Sequence, residues 1–169
     1  MKKKIKVILP GSYDPITVGH LEIIKRAAEE YEEVLAVGFI NPDKTYFFSE
    51  KERLEMLKIA TRGMENVECD FYSGLCVDYM RDHGAELIVK GYRNGRDYEY
   101  EQNIARWNKE HGGFDTVLWR CEDGFEDISS TAVRAAIENG DIDAARRLLP
   151  QEVANYIFEV ALPRRKNDP

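Results

Sequence analysis

"IKVILPGSYDPITVGHLEIIKRAAEEYEEVLAVGF", Ile5–Phe39, is the stretch from which the fold can be read. It opens on a short apolar run, Ile5–Leu9, and closes on a second, Val34–Phe39. Between them, Thr17–Tyr31 carries Val18, Leu21, Ile24, Ala28 and Tyr31 at three- and four-residue spacing, with Glu and Lys elsewhere. Strand, amphipathic helix, strand is a βαβ unit, and its two strands must lie parallel. The join into the helix is the odd part. A glycine and one capping residue would suffice, yet "PGSYDPITVGH", Pro10–His20, spends eleven residues and one of the chain's three histidines there.

The same alternation continues outward. Val67–Phe71, Leu87–Val89 and Thr116–Arg120 are further strand candidates, each short and partly β-branched or aromatic. "SEKERLEMLKIAT" opens a helix with a capping box, Ser49 to Glu52, ahead of Leu54, Leu57 and Ile59. Leu75–His83 and Asp97–His111 are two more helices, each followed by glycine. From Ser129 the pattern is helical only. One helix ends at Asn139-Gly140, a short one at Leu148-Leu149-Pro150, and a third spans Gln151–Leu162. The expectation is an α/β protein: a Rossmann-like, five-stranded parallel sheet with helices on both faces and a helical C-terminus. Residues 1–169 are expected to form a single domain, with about 163–169 as a frayed tail. Ligands of such sheets bind beyond the carboxyl ends of the strands.

Composition narrows the function. Hydrophobic residues at 43% and charged residues at 33% suit a soluble globular chain. A net charge of −7 argues against nucleic acid as the main partner, since phosphate backbones need broad positive surface. A small anion needs only local positive charge. No apolar window approaches the length of a membrane helix, and the run before Pro10 is too short for a signal peptide. Cys69, Cys76 and Cys121 are odd in number and widely spaced, which reads as reduced thiols in a cytoplasmic protein with no protein-held metal.

The loop after the first strand lacks G-x-G-x-x-G, and the chain has no G-x-x-x-x-G-K-[ST] phosphate loop. It offers instead Gly11, where backbone approaches a ligand closely, then the Ser12 hydroxyl, a turn at Asp14-Pro15, and Thr17 as N-cap. His20 falls in the first helical turn, where unpaired N–H groups and the helix dipole already favour an anion. A lone Gly-His there is simply a turn and a helical histidine. The whole pattern is more than that.

"GSYDPITVGH" resembles the G-[ST]-F-D-P-x-[TH]-x-G-H signature of the nucleotidylyltransferase superfamily, in its T-x-G-H form. The likeness extends along the chain. "NPDKTYFFSEKER" (Asn41–Arg53) and "VKGYRNGRDYEYEQNIARWN" (Val89–Asn108) are similar to segments of the bacterial phosphopantetheine adenylyltransferase family. "ISSTAVR" (Ile128–Arg134) is similar to the superfamily's I-S-S-[ST]-x-[IV]-R element. Four such segments in order, each on an expected ligand-side loop, are a strong joint signal.

The resemblance implies transfer of the adenylyl group of ATP to 4′-phosphopantetheine, giving dephospho-coenzyme A and pyrophosphate. By residue match, Ser12 and His20 flank the α-phosphate, and Lys44 bridges the two reacting phosphates. Tyr13, Gly91, Tyr92, Arg93, Glu101 and the run Phe125, Glu126, Asp127, Ile128, Ser129, Ser130 and Thr131 correspond to ATP-binding positions. Ser12, Lys44, Cys76 and Lys90 correspond to phosphopantetheine-binding positions. The family also implies Mg²⁺ with the ATP, a homohexamer, and coenzyme A as feedback ligand.

Plainer readings stand beside these. Lys44, Arg93 and Glu101 in other chains would be solvated charges, and Arg96 matches no family role. Ser129–Thr131 can simply cap a helix. His83 and His111 sit at helix ends, where C-capping accounts for them. Tyr98 and Trp107 read as packing. Lys90 and Ser12 replace the family's commoner Arg and Thr, and lysine keeps the charge but loses the two-pronged fork. Rival functions are a related transferase acting on nicotinamide mononucleotide or a polyol phosphate, and a non-catalytic nucleotide-binding protein. An aminoacyl-tRNA synthetase is disfavoured by the short, acidic chain.

Overall fold

A computed structural model describes residues 1–167. The strands are β1 (Lys3–Gly11), β2 (Tyr31–Phe39), β3 (Val67–Tyr72), β4 (Leu87–Tyr92) and β5 (Asp115–Arg120). The helices are α1 (Val18–Glu30), α2 (Glu50–Ala60), α3 (Cys76–His83), α4 (Gly95–Gly112), α5 (Ser130–Glu138), α6 (Ile142–Leu148), α7 (Gln151–Tyr156) and α8 (Leu162–Asn167). A π-helical turn, Ile157–Ala161, joins the last two. All pairings are parallel, in the order β3-β2-β1-β4-β5. The expected Rossmann-like sheet and helical C-terminus are both present.

Side-chain alternation along the central strands builds two cores, one on each face. Val7, Leu9, Val34 and Ala36 join Ile24, Leu57, Val133 and Val153 in the larger cluster. Ile8, Leu35, Val37 and Ile88 meet Tyr79 and Met80 of α3 in the smaller one. The capping box of α2 forms as read: Ser49 Oγ accepts from Glu52 N–H at 3.1 Å, and Glu52 Oε2 accepts from Ser49 N–H at 2.8 Å.

Two expectations are corrected. Tyr31 is the first residue of β2 rather than the end of α1; its buried ring stacks on Trp119 at 6.2 Å, so cross-sheet packing overrides the helical spacing. The tail expected to fray from Pro163 is helical through Asn167. Arg165 holds it, donating to the Phe47 carbonyl at 2.8 Å and to Glu52 at 2.9 Å, with its guanidinium over the Phe47 and Phe48 rings. Asp168 and Pro169 lie outside the described residues.

The sheet opens where function needs space. β1 pairs with β2 as far as Gly11, but with β4 only at Val7–Leu87 and Ile8–Ile88. Beyond those pairs the backbones of β1 and β4 no longer pair, at the point where strand order reverses. That is the ligand crevice of a doubly wound sheet.

Candidate active site

The crevice holds a cleft of about 460 Å³ lined by the β1–α1 loop, the end of β4, and the segment entering α5. Ser12, Tyr13, His20, Lys90, Gly91, Tyr92, Arg93, Glu101, Phe125, Ile128, Ser129, Ser130 and Thr131 all contribute to its wall. The loop is held tightly. Tyr13 has φ 47°, a left-handed conformation that costs a side-chain-bearing residue about 1 kcal/mol or more. Burial of its ring and a 2.8 Å hydrogen bond from its hydroxyl to the Leu9 carbonyl offset that strain. Ser12, the preceding residue, lines the cleft, and its carbonyl accepts from Arg53 Nη1 at 2.9 Å.

His20 occupies the third position of α1 and completes a capping box with Thr17. Thr17 Oγ1 accepts from His20 N–H at 3.3 Å, and Thr17 N–H donates to His20 Nδ1 at 3.0 Å. The histidine thus takes the place usually held by Glu or Gln. Because Nδ1 accepts, the proton of the neutral ring sits on Nε2. Burial, reinforced by the charges of Lys90 and Arg93, lowers the His20 pKa to about 4. At neutral pH the site therefore contains a neutral imidazole with one committed acceptor and one free donor.

The cations are held by acids. Lys90 Nζ lies 3.3 Å from Glu101 Oε1 and donates to the Pro10 carbonyl at 3.2 Å. Glu101 Oε2 is buried and has no hydrogen-bond partner among the described residues. Arg93 Nε donates to Asp97 Oδ2 at 2.8 Å, and its Nη1 reaches the Ile128 carbonyl at 3.5 Å. Gly91 lets this strand end pass α1: a Cβ there would meet Ile23 at 2.9 Å. Across the cleft, Ser129 caps α5 through Ala132 N–H at 3.0 Å, and the Ser130 hydroxyl donates to the Pro15 carbonyl at 2.7 Å. Two helix N-termini, of α1 and α5, thus line one cavity, the electrostatic setting for a phosphate chain.

A second cleft of about 580 Å³ shares Pro10, Gly11, Ser12, Lys90, Tyr100 and Glu101 with the first. It runs on past Cys76, Leu75, Ile104, Trp107 and Asn108. Burial, opposed in part by Lys90, pushes the Cys76 thiol up to about 12, so it stays protonated. Trp107 corrects its reading as packing: it stacks on His111 at 4.1 Å but remains 40% exposed on the cleft wall. Tyr98 tilts onto Tyr92 at 4.8 Å but is likewise 37% exposed, so its reading as packing holds only in part. His83 and His111 bond the carbonyls of Tyr79 and Trp107, each at 2.9 Å, away from both clefts.

Three expected site residues are not among those lining either cleft. Lys44 is exposed in the loop after β2, Asp127 is exposed, and Glu126 turns back to accept from Gly124 N–H at 2.9 Å. Sequence reading placed Asp14 in a turn but missed the long-range bonds by which it, Arg134 and Arg53 brace the loops. Asp14 is buried, and its carboxylate accepts from Phe47 and Phe48 N–H groups, both at 2.8 Å. Arg134 donates to the Asp14 carbonyl at 2.8 Å, and buried Arg53 donates to the Ser12 carbonyl at 2.9 Å. All three lie inside the quoted motifs, but their partners are 33 to 120 residues away.

Among the described residues no cluster of three or more His, Cys, Asp or Glu is arranged to hold a metal ion. Likewise no helix among them is long and apolar enough to cross a membrane.

A crevice between β1 and β4, faced by two helix N-termini and a donor histidine, defines a nucleotide-handling α/β domain. The chain belongs to the cytidylyltransferase-like family, whose sequence model matches residues 8–136. It is 40% identical to phosphopantetheine adenylyltransferase of Corynebacterium diphtheriae, over 91% of this chain and 96% of that protein. It is 39% identical to phosphopantetheine adenylyltransferase of Clostridium novyi, over 89% and 93%. Within the family, its place is thus among the phosphopantetheine adenylyltransferases. The fold also resembles Thermotoga maritima TmcAL bound with alpha-thio ATP, at TM-score 0.69 and 13% identity, over 96% of this chain and 57% of that one.

Proposed function

We propose that this chain transfers the adenylyl group of ATP to 4′-phosphopantetheine, releasing pyrophosphate and dephospho-coenzyme A. The observation that carries the reading is the bipartite cavity. One compartment is edged by helix N-termini and polar groups, the other by Leu75, Ile104 and Trp107, and they meet at Ser12, Lys90 and Glu101. A nucleotide suits the first, and a phosphate on a flexible, partly apolar arm suits the second.

In the step itself, an oxygen of the acceptor phosphate attacks the α-phosphorus of ATP. The bond to the bridging oxygen breaks in line, and pyrophosphate leaves with the electron pair. The attacking group belongs to the substrate, so no covalent enzyme intermediate and no general base is needed. The protein's task is positioning and charge stabilisation. The Nε2–H of His20 donates to the α-phosphate oxygens, whose charge grows as the step proceeds, with the Ser12 hydroxyl beside it. Lys90 holds the acceptor phosphate as a point charge. Arg93 and the α5 N-terminus hold the triphosphate, and Glu101 together with Tyr13, Gly91, Tyr92, Phe125, Ile128, Ser129, Ser130 and Thr131 surrounds the nucleotide. Lys44 approaches from its exposed loop to bridge the two phosphates. Mg²⁺ bound with ATP would neutralise triphosphate charge; Asp97 and Glu101 already pair with Arg93 and Lys90, so the phosphates rather than these side chains would hold it.

Coenzyme A carries both a nucleotide and a pantetheine arm, so it fits as a feedback ligand spanning both compartments. A homohexamer and a cytoplasmic setting complete the reading; three free cysteines accord with the latter. The test is pyrophosphate release from Mg²⁺–ATP with a panel of acceptors. Phosphopantetheine is expected to support turnover. Release with nicotinamide mononucleotide or a polyol phosphate, and not with phosphopantetheine, would overturn the assignment.

A further inference from the structure

Arg53 is 2% exposed, yet it forms no ion pair among the described residues, and its Nε has no hydrogen-bond partner there. Burying a guanidinium is costly; the charges of Asp14 and Glu50 offset that cost from beyond ion-pair distance, and its direct contacts fix where it sits. There are two kinds. Its Nη1 donates to the Ser12 carbonyl at 2.9 Å. Its plane lies over the Tyr46 ring at 3.9 Å and near the Phe71 ring at 4.9 Å. The Tyr46 hydroxyl in turn accepts from Asn41 N–H at 2.8 Å, and the Asn41 carbonyl accepts from Lys44 N–H at 3.0 Å. A continuous set of contacts therefore runs from the Ser12 backbone through Arg53 and Tyr46 to the backbone of Lys44.

We propose that Arg53 is a positioning residue that sets the Ser12 loop and the Lys44 loop relative to each other. The inference rests on the adenylyl-transfer reading above, in which both loops deliver groups to the reacting phosphates. Lys44 is exposed; Asp14 anchors the far end of its loop at Phe47 and Phe48, and Arg53 with Tyr46 braces the near end at Asn41. The planar guanidinium can stack on an aromatic ring and donate in its own plane at the same time. An ammonium offers the charge and the donor but no flat face.

The test compares Arg53→Lys, Tyr46→Leu and the double variant with wild type, scoring folded protein by thermal melting and kinetics per folded site. Arg53→Lys and Tyr46→Leu are each expected to lower kcat on the order of 10- to 100-fold, as small misplacement of reacting groups does. KM for ATP should stay within about twofold, because the triphosphate contacts of Arg93 and α5 are untouched. The double variant should lose no more than the worse single one, since both changes break the same connection. Tyr46 is only half-buried, so its leucine variant carries the test even where Arg53→Lys folds poorly. Wild-type kcat in a folded Tyr46→Leu protein, or losses that multiply in the double variant, would overturn the linkage. Wild-type protein that releases no pyrophosphate with phosphopantetheine would instead sink the underlying reading.

Discussion

His20 Nδ1 accepts a hydrogen bond from the Thr17 backbone N–H at 3.0 Å. One contact between residues three apart settles both where the ring points and which nitrogen carries its proton. The free Nε2–H is a donor that needs no positive charge, and it is fixed before any ligand arrives.

Replacing His20 by alanine should therefore lower kcat by about 10²–10³-fold while changing ATP affinity little, because a donor aimed at transition-state charge contributes little in the ground state. Steady-state kinetics with direct measurement of ATP binding separates the two. Unchanged turnover in the folded variant would remove His20 from the reaction.

The same residue makes stability depend on pH. Its folded-state value, about 4, lies below the ordinary 6.5, so as pH falls the unfolded chain takes up the proton first. The contribution is nearly whole above about pH 7.5 and is lost as pH falls toward 4, with about 2 kcal/mol gone by pH 5. Urea unfolding at pH 7.5 and pH 5 should show a smaller acid loss in His20→Asn than in wild type by about that amount. Equal losses in the two proteins would mean the ring is freely solvated.

Lys44→Ala is expected to depress kcat with the melting temperature unchanged, since the side chain is exposed and holds nothing in the fold. Lys44→Arg should recover only part of the rate, because a compact ammonium fits between two phosphates where a broader guanidinium does not. Wild-type kinetics for the alanine variant would make Lys44 an ordinary surface lysine.

Lys90→Ala should raise KM for phosphopantetheine more than KM for ATP. It should also cost about 1–3 kcal/mol of stability, because Glu101 is then left half-buried without its cation. Lys90→Arg should stay active and restore a two-pronged phosphate contact. The paired KM values decide it: a selective rise for ATP would assign Lys90 to the wrong phosphate.

Local patterns were enough for the sheet. Val7, Leu9, Val34 and Ala36 alternate with Ile8, Leu35 and Val37 in the sequence as they do between the two cores, because the strand period is two and each face needs burial. The Ser49–Glu52 cap and the His20 and Ser129–Thr131 positions were likewise legible, since a helix start depends on residues within one turn of each other. What the tertiary structure alone decided is everything that joins distant segments. Tyr31 became a strand residue because Trp119 waits for it across the sheet, and Arg165 made a helix of the tail by reaching Phe47 and Glu52. Lys90 found Glu101, Asp14 found Phe47 and Phe48, and Arg53 found Ser12, all through partners that no spacing along the chain announces. Periodicity reports which face of an element is buried. Which charged or polar group meets another inside that burial is set only when the chain has closed on itself and each must be paired.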